Sequence, residues 1–312
     1  MIRCTTVGLT AAGTLLACPL ASAQAQPPIE DIVIQGEILN RSVGEAIRPV
    51  GQSDDDSDNE IDGEAGIYVL TVNDIFFISG SAGIGHSTNP TRTASDPGED
   101  WYGEFGASIG VSTRLGGAVD FGAAVNVDSR DFINDDLASS RSVSTTAAVG
   151  TTIWGPIYGS VTAFGGLAFD DNFDNETSFY GLSVNASSAF KVADNVLIRP
   201  GVGLTQQWSD VSENNSLAAT ASVDAIYALS PQWLVSGRVS VSDRKYDDFY
   251  EDVTFVERED SSIGVSASLV WRPSRNITMA ASVAYEDQDS TFFLSEFDAV
   301  DTGLNISLRQ TF

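Results

Sequence analysis

Gly303-Leu304-Asn305-Ile306-Ser307-Leu308-Arg309-Gln310-Thr311-Phe312, the last stretch of the sequence, alternates with a period of two. Leu304, Ile306, Leu308 and Phe312 share one side of an extended chain, and Asn305, Ser307, Arg309 and Thr311 share the other, because successive strand side chains point to opposite faces. The same alternation recurs upstream. Trp101, Phe105, Ala107, Ile109 and Val111 interleave with Tyr102, Glu104, Gly106, Ser108, Gly110, Ser112 and Arg114. Val119, Phe121, Ala123, Val125 and Val127 interleave with Asp120, Gly122, Ala124, Asn126 and Asp128, and Ile263, Val265, Ala267, Leu269 and Trp271 with Gly264, Ser266, Ser268, Val270 and Arg272. From Asp74 onward the chain parses into roughly twelve such segments, each long enough for a tilted membrane strand. The expected fold is all-β, a transmembrane antiparallel β-barrel of about 12 strands.

Residues 1–23 read as a signal peptide, with Arg3 as its charge, an apolar core from Val7 to Leu20, and Ala21-Ser22-Ala23 as a small-residue cleavage site. An alternative cut at Leu15-Leu16-Ala17-Cys18, loosely like a lipoprotein site, would leave Cys18 lipidated. Cys4 and Cys18 both lie inside this segment, so cleavage after Ala23 removes every cysteine and with it any disulfide or thiolate metal site. The remainder contains no run of about 18 apolar residues, as a membrane-spanning helix would need. With 16 Lys and Arg against 43 Asp and Glu, a net charge of -27, the chain would be repelled by a phosphate backbone, and nucleic acid is excluded as a partner.

Residues 24–66 show no sustained period and are expected to form a mobile, acidic, low-complexity periplasmic segment ahead of a barrel at 67–312. Within it, Asp54-Asp55-Asp56-Ser57-Asp58-Asn59-Glu60 is too polar to make a core. Asp54, Asp56 and Asp58 have the opening spacing of a calcium loop, but Asn59 stands where Gly is required and Ala65 where the closing Glu is required. No metal and no cofactor is expected. Glu30-Asp31-Ile32-Val33-Ile34-Gln35-Gly36 is a candidate strand for pairing with a periplasmic partner.

Connections alternate between short and long. Leu115-Gly116-Gly117, Trp154-Gly155-Pro156, Val192 to Asn195, Ser230-Pro231-Gln232 and Pro273-Ser274-Arg275 are short turns, expected on the periplasmic side. Links near 87–100, 131–140, 170–177, 209–215, 245–260 and 287–300 are longer and polar, and are expected outside. Aromatic residues divide accordingly, with Trp101, Phe169, Tyr180, Trp208 and Tyr285 near the loops and Phe190, Tyr227, Trp233, Trp271 and Phe312 near the turns, as two interfacial girdles would require.

In these features the chain resembles Gram-negative outer-membrane β-barrels, and among them porin-like barrels whose first strand ends in Gly-aromatic-x-x-Asn-Pro. Here that stretch is Gly85-His86-Ser87-Thr88-Asn89-Pro90, with His where Tyr is more usual. The resemblance extends to Tyr246-Asp247-Asp248-Phe249-Tyr250-Glu251-Asp252-Val253 and to Phe312, and the barrel of surface lipoprotein assembly modifiers has similar segments. It implies an outer-membrane location, contact with lipid and lipopolysaccharide, and delivery to the barrel assembly machinery through the C-terminal strand, where Phe312, Leu308 and Ile306 are the candidate signal. Gln310 departs from the aromatic or apolar residue usual two before the end.

Candidate functional residues lie mainly on the inward face. Arg114, Lys191, Arg199, Arg272 and Arg309 fall toward the turn end, Glu104, Asp128 and Glu286 toward the outer rim, and Arg238 belongs to the same lumenal set. Asp54, Asp55, Asp56, Asp58 and Glu60 are a candidate gate, tethered before the first strand on the side of the basic lumenal residues. The implied function is a narrow channel for small hydrophilic solutes, non-enzymatic, since about eight strands leave a filled interior and sixteen to eighteen an open pore. Two alternatives remain at this point: a non-catalytic barrel component of surface polysaccharide or lipoprotein export, engaging a partner through 24–66, and an outer-membrane lipid hydrolase using His86, the sole histidine, with Ser87 and Asn89 nearby.

Overall fold

The computed structural model describes residues 76–93, 98–115, 119–134, 138–169, 177–247, 257–274, 276–292 and 295–312, apart from the side chains of Arg114 and Glu213. The signal peptide, the acidic segment 24–66, the strand candidate Glu30 to Gly36 and the gate residues Asp54, Asp55, Asp56, Asp58 and Glu60 lie outside the described residues.

Small polar residues alternating with branched and aromatic ones suit a sheet whose two faces meet different media. Among the described residues thirteen strands result: β1 (Phe76–Ser87), β2 (Asp100–Leu115), β3 (Val119–Phe132), β4 (Ser140–Trp154), β5 (Ile157–Phe169), β6 (Thr177–Ser188), β7 (Phe190–Ala193), β8 (Val196–Ser209), β9 (Ser216–Ser230), β10 (Trp233–Tyr246), β11 (Glu259–Ser274), β12 (Ile277–Ser290) and β13 (Phe297–Thr311). β6 and β7 pair in turn with β8, so they act as one interrupted strand. The register runs from Ser187↔Gly201 to Phe190↔Ile198, which sets the break opposite Pro200. A proline ring carries no N–H for the ladder, which accounts for the interruption.

Every pairing is antiparallel, and β13 returns to β1 with Phe77↔Thr311 at one end and Ser87↔Asp301 at the other. The sheet therefore closes as a barrel of 12 strands. Closure leaves no edge with unpaired N–H and C=O groups, which hydrocarbon would not tolerate. Among the described residues no helix is long and apolar enough to cross a membrane.

Side-chain parity holds around the ring. Ile78, Ile84, Phe105, Ile109, Val149, Val202, Val239, Ile263, Leu304 and Leu308 point outward and are exposed, whereas Ser108, Asn126 and Ala148 point inward and are buried. Rings frame this apolar band. Toward the loop end Tyr180 stacks on Trp208 at 5.4 Å, and His86 meets Trp101 edge-on at 5.1 Å. Toward the turn end Trp233 and Trp271 stack at 5.6 Å and 12°, with exposed Phe190, Tyr227 and Phe312 at the same level. These are the two girdles the sequence predicts.

Two of the polar links, those near 131–140 and 287–300, are shorter than expected. β3 continues through Phe132, β12 through Ser290, and β13 begins at Phe297, so Asp131, Asp287, Asp289 and Asp298 occupy strand positions rather than loops. Polar composition marks the height at which a strand leaves the bilayer, and the hydrogen-bonded ladder continues above it.

Candidate functional site

The inner wall is built largely of small hydroxylic residues that satisfy one another across strands. Ser79 pairs with Ser108, Ser183 with Thr205 and Ser236 with Ser268, each at 2.6 Å between oxygens. Against this wall lie inward aromatic rings, each seated over a glycine. Tyr102 covers Gly85, Phe77 covers Gly110, Tyr158 covers Gly150 and Phe164 covers Gly181, so that a Cβ at any of these glycines would strike the ring. The glycine lets a large side chain lie along the wall instead of projecting across the lumen.

Arginines stack on several of these rings and hold carboxylates. Arg130 lies 4.6 Å over Tyr102 and donates to Glu104 at 3.3 Å, and Asn305 donates to the other oxygen of Glu104 at 3.0 Å. Arg258 lies 4.4 Å over Tyr246 and grips Asp260 with two bonds of 2.9 and 2.5 Å. The hydroxyls of Tyr246 and Ser290 donate to the same carboxylate. Arg309, from β13, lies 4.0 Å over Phe77 at the turn end. A guanidinium on an aromatic face gains roughly 0.5–2 kcal/mol, and the acid removes the cost of an uncompensated charge.

The chain after β1 bends back into the barrel mouth. Asn89 is buried, and its amide donates to the carbonyls of Thr93 (3.1 Å) and Asp298 (3.3 Å) while its carbonyl accepts from the Thr93 N–H. This turn delivers Arg92, at φ 51°, onto the ring of Phe297 and into ion pairs with Asp301 and with Glu286 at 3.3 Å. Together with Arg130, Tyr102, Phe132 and the Arg258 cluster it fills the loop end on the side of β10–β13, β1 and β2.

The remaining lumen is an off-centre cavity of about 530 Å³, walled mostly by β3–β6 and β8–β10. At its side Asp224 is shared by two arginines. Arg199 reaches Asp224 Oδ2 through Nε (3.1 Å) and Nη2 (3.0 Å), while Arg238 Nε stands 3.5 Å from Oδ1 and Arg238 Nη2 donates to Ser222 Oγ at 3.2 Å. Arg238 is the most open of the three, with 38% of its side chain exposed to the lumen.

Of the lumenal candidates named from sequence, Arg199, Arg238, Arg309 and Asp128 line the cavity, and Glu104 lies in the Arg130 cluster. Lys191 is at the turn end, paired with Asp194 at 3.1 Å, and Arg272 lies beside the β11–β12 register shift between Trp271 and Ser274. The Arg114 side chain lies outside the described residues. Arg92, Arg130, Arg244 and Arg258 were among the arginines unremarked in the sequence. Arg130 and Arg244 sit at inward parity and were legible, whereas Arg92 and Arg258 lie beyond strands and no periodicity marks them.

His86 faces outward beside Trp101, with Nε2 3.8 Å from the Glu99 carboxylate. Ser87 faces the lumen, is 2% exposed, and its Oγ accepts the Asn89 N–H at 3.3 Å. The imidazole and that hydroxyl are on opposite faces of one strand, so Ser87 is not placed to be activated by His86. Among the described residues no group of three or more His, Cys, Asp or Glu is disposed to hold a metal ion. Ile306, Leu308 and Phe312 form an exposed outward row at the β13–β1 seam, where Phe312 and Phe76 exchange backbone hydrogen bonds of 2.9 and 3.3 Å.

A closed barrel with an apolar outer band, two aromatic girdles and a polar, charged interior defines an outer-membrane β-barrel. Residues 171–310 match the model of the family described as "Putative beta-barrel porin 2". Among solved structures, an outer membrane channel from Pseudomonas putida F1 is similar at 9% identity and a TM-score of 0.52, covering 82% of this chain and 100% of that one. The translocator domain of the autotransporter NalP from Neisseria meningitidis aligns at 10% identity and a TM-score of 0.43, covering 95% and 99%. The NanC porin aligns at 10% and 0.45, covering 74% and 98%. No curated protein matches the chain.

Proposed function

We propose that the barrel is a narrow channel for small hydrophilic solutes that favours anions. The observation that carries this reading is the charge around the cavity: Arg199, Arg238, Arg244 and Arg309 against Asp128 and Asp224, four cations and two anions, hence a surplus of two positive charges. In a protein of net charge -27 such a local reversal of sign stands out. Low-dielectric walls focus the field of fixed charges along the lumen, so this surplus governs which ions enter more than the total charge does. By the general rule for outer-membrane barrels the short turns face the periplasm, which sets Arg309 at the inner mouth and the Arg92 turn at the outer one.

The chemistry is selection rather than catalysis. No step of the proposal involves His86, which sits with Trp101 in the outer girdle and is suited to hold the barrel at its depth.

The test is a planar bilayer holding the chain purified from outer membranes, under a potassium chloride gradient. Discrete current steps with a reversal potential on the chloride side are expected. A reversal potential on the potassium side, from correctly folded barrel, would remove the anion preference, and steps that persist unchanged in Arg238→Glu would remove the lumenal arginines from the path.

A further inference from the structure

Resting on the channel reading, we infer that the lumen holds a subsite for an uncharged sugar in its pyranose form, with the C–H face of the sugar on Phe164 and Phe179 and its hydroxyls on the polar side chains that flank them.

The setting of the two rings carries this. Phe164 on β5 pairs in register with Gly181 on β6, and Phe179 on β6 pairs with Gly166 on β5. A Cβ at Gly181 would stand 2.2 Å from Phe164 Cζ, and one at Gly166 would stand 3.0 Å from Phe179 Cζ, so each ring leans across onto its neighbour's strand. The centroids come to 6.5 Å apart, with the planes inclined at 44°, and both rings line the cavity. One pyranose with its substituents spans such a pair, and its C–H groups are attracted to the negative face of an aromatic ring.

The flanking residues decide the kind of ligand. Gly181 pairs on its other side with Gln207 of β8, and Gly166 with Ser144 of β4, which sets each of these polar side chains one strand spacing, about 4.8 Å, from the glycine under a ring. Three successive register rows across β4, β5, β6 and β8 surround the rings, and none of their residues is charged. Ser144, Thr146, Thr162, Ser183, Thr205 and Gln207 supply hydroxyls and an amide to the cavity from these rows. The Ser183 and Thr205 hydroxyls bond each other at 2.6 Å, which uses one of their two hydrogens and leaves the other for a solute. An apolar ring would leave these groups without partners.

The charged residues that border the patch in register are Asp128 on β3 and Arg244 on β10, one of each sign, so an ionised solute finds no surplus of opposite charge there. Arg199 lies near the turn end of β8, away from Gln207 near its loop end. The cavity, about 530 Å³, falls inside the range of small-molecule sites, about 300–1,000 Å³.

The probe is methyl β-D-glucopyranoside, whose ring is locked closed, read by saturation-transfer NMR on the barrel in lauryldimethylamine oxide, a detergent without sugar. Saturation is expected to reach the axial C–H protons on one face of the ring more than those on the other, as stacking on an aromatic pair requires. Phe164→Leu and Phe179→Leu keep apolar volume and lose the aromatic face. In variants that migrate as folded on an unboiled gel, each should raise the binding midpoint about fivefold, and Phe164→Tyr should leave it in place. Arg238→Gln should leave it in place as well. Sorbitol, with hydroxyls and no ring, and benzyl alcohol, with a ring and one hydroxyl, should each bind about fivefold more weakly. Equal saturation of both faces, equal binding of sorbitol or benzyl alcohol, or leucine variants that bind like the parent would overturn the subsite. Loss of binding in Arg238→Gln would overturn it too, because the site would then depend on charge. Current plays no part in this measurement. A barrel that binds the glucoside and conducts nothing keeps the subsite and loses the channel reading, and one that conducts without binding does the reverse.

Discussion

Gly150 shows what a single residue decides in this lumen. Its missing side chain is the space taken by the Tyr158 ring, whose hydroxyl donates to Asp120 at 3.1 Å, and Asp120 is almost fully buried. Adding a branched side chain there forces the ring off the wall and loosens that bond. Gly150→Val is therefore expected to destabilise the barrel by about 1–3 kcal/mol, combining overpacking with a weakened buried hydrogen bond. The check is the temperature at which the protein loses its fast-migrating folded form on an unboiled gel. No downward shift relative to the parent would mean that Tyr158 has another place to go.

At the scale of elements, the turn after β1 matters most. Arg92 is held at a positive φ that costs an L-residue roughly 1–2 kcal/mol, and its pairs with Glu286 and Asp301 and its contact with Phe297 offset that strain. Arg92→Ala removes the latch and leaves two carboxylates facing one another across β12 and β13. The outer mouth is expected to widen and turn more acidic, raising single-channel conductance by about half or more while moving the reversal potential toward cations. An unaltered conductance would show that the Asn89 hydrogen bonds alone keep the turn in the mouth. The interruption between β6 and β7 belongs to this scale too, since one proline on β8 accounts for it.

For the whole molecule the leading quantity is sign of charge: strongly negative overall, locally positive around the cavity. If the acidic run at Asp54 to Glu60 docks against guanidinium groups at the inner mouth, deleting residues 50–64 raises conductance, most clearly at low salt where attraction is least screened. Equal conductance and open probability with and without that stretch would remove the gate. The number of strands belongs here as well. Twelve leave an interior between the filled eight-stranded barrel and the open pore of sixteen or more, and the arginine-aromatic stacks on one side narrow it further.

Strand alternation, the short turns and both girdles were legible in the sequence, because membrane and lumen impose a period of two on each strand separately, and neighbours in sequence report it. Leu304, Ile306, Leu308 and Phe312 are outward for that local reason alone. The inward parity of Arg199, Arg238 and Arg309 was legible in the same way. Which of them meet was not, since Arg238 and Arg199 find Asp224 across two ladders, and Arg309 finds Phe77 only where the last strand closes on the first. Arg92 and Arg258 sit where no period operates, and only the return of loop to barrel brings them to Phe297 and Tyr246. The sequence by itself determined the class of fold and the face of each strand residue. Only closure of the sheet decided which side of the lumen stays open, because that depends on contacts between residues far apart in the chain.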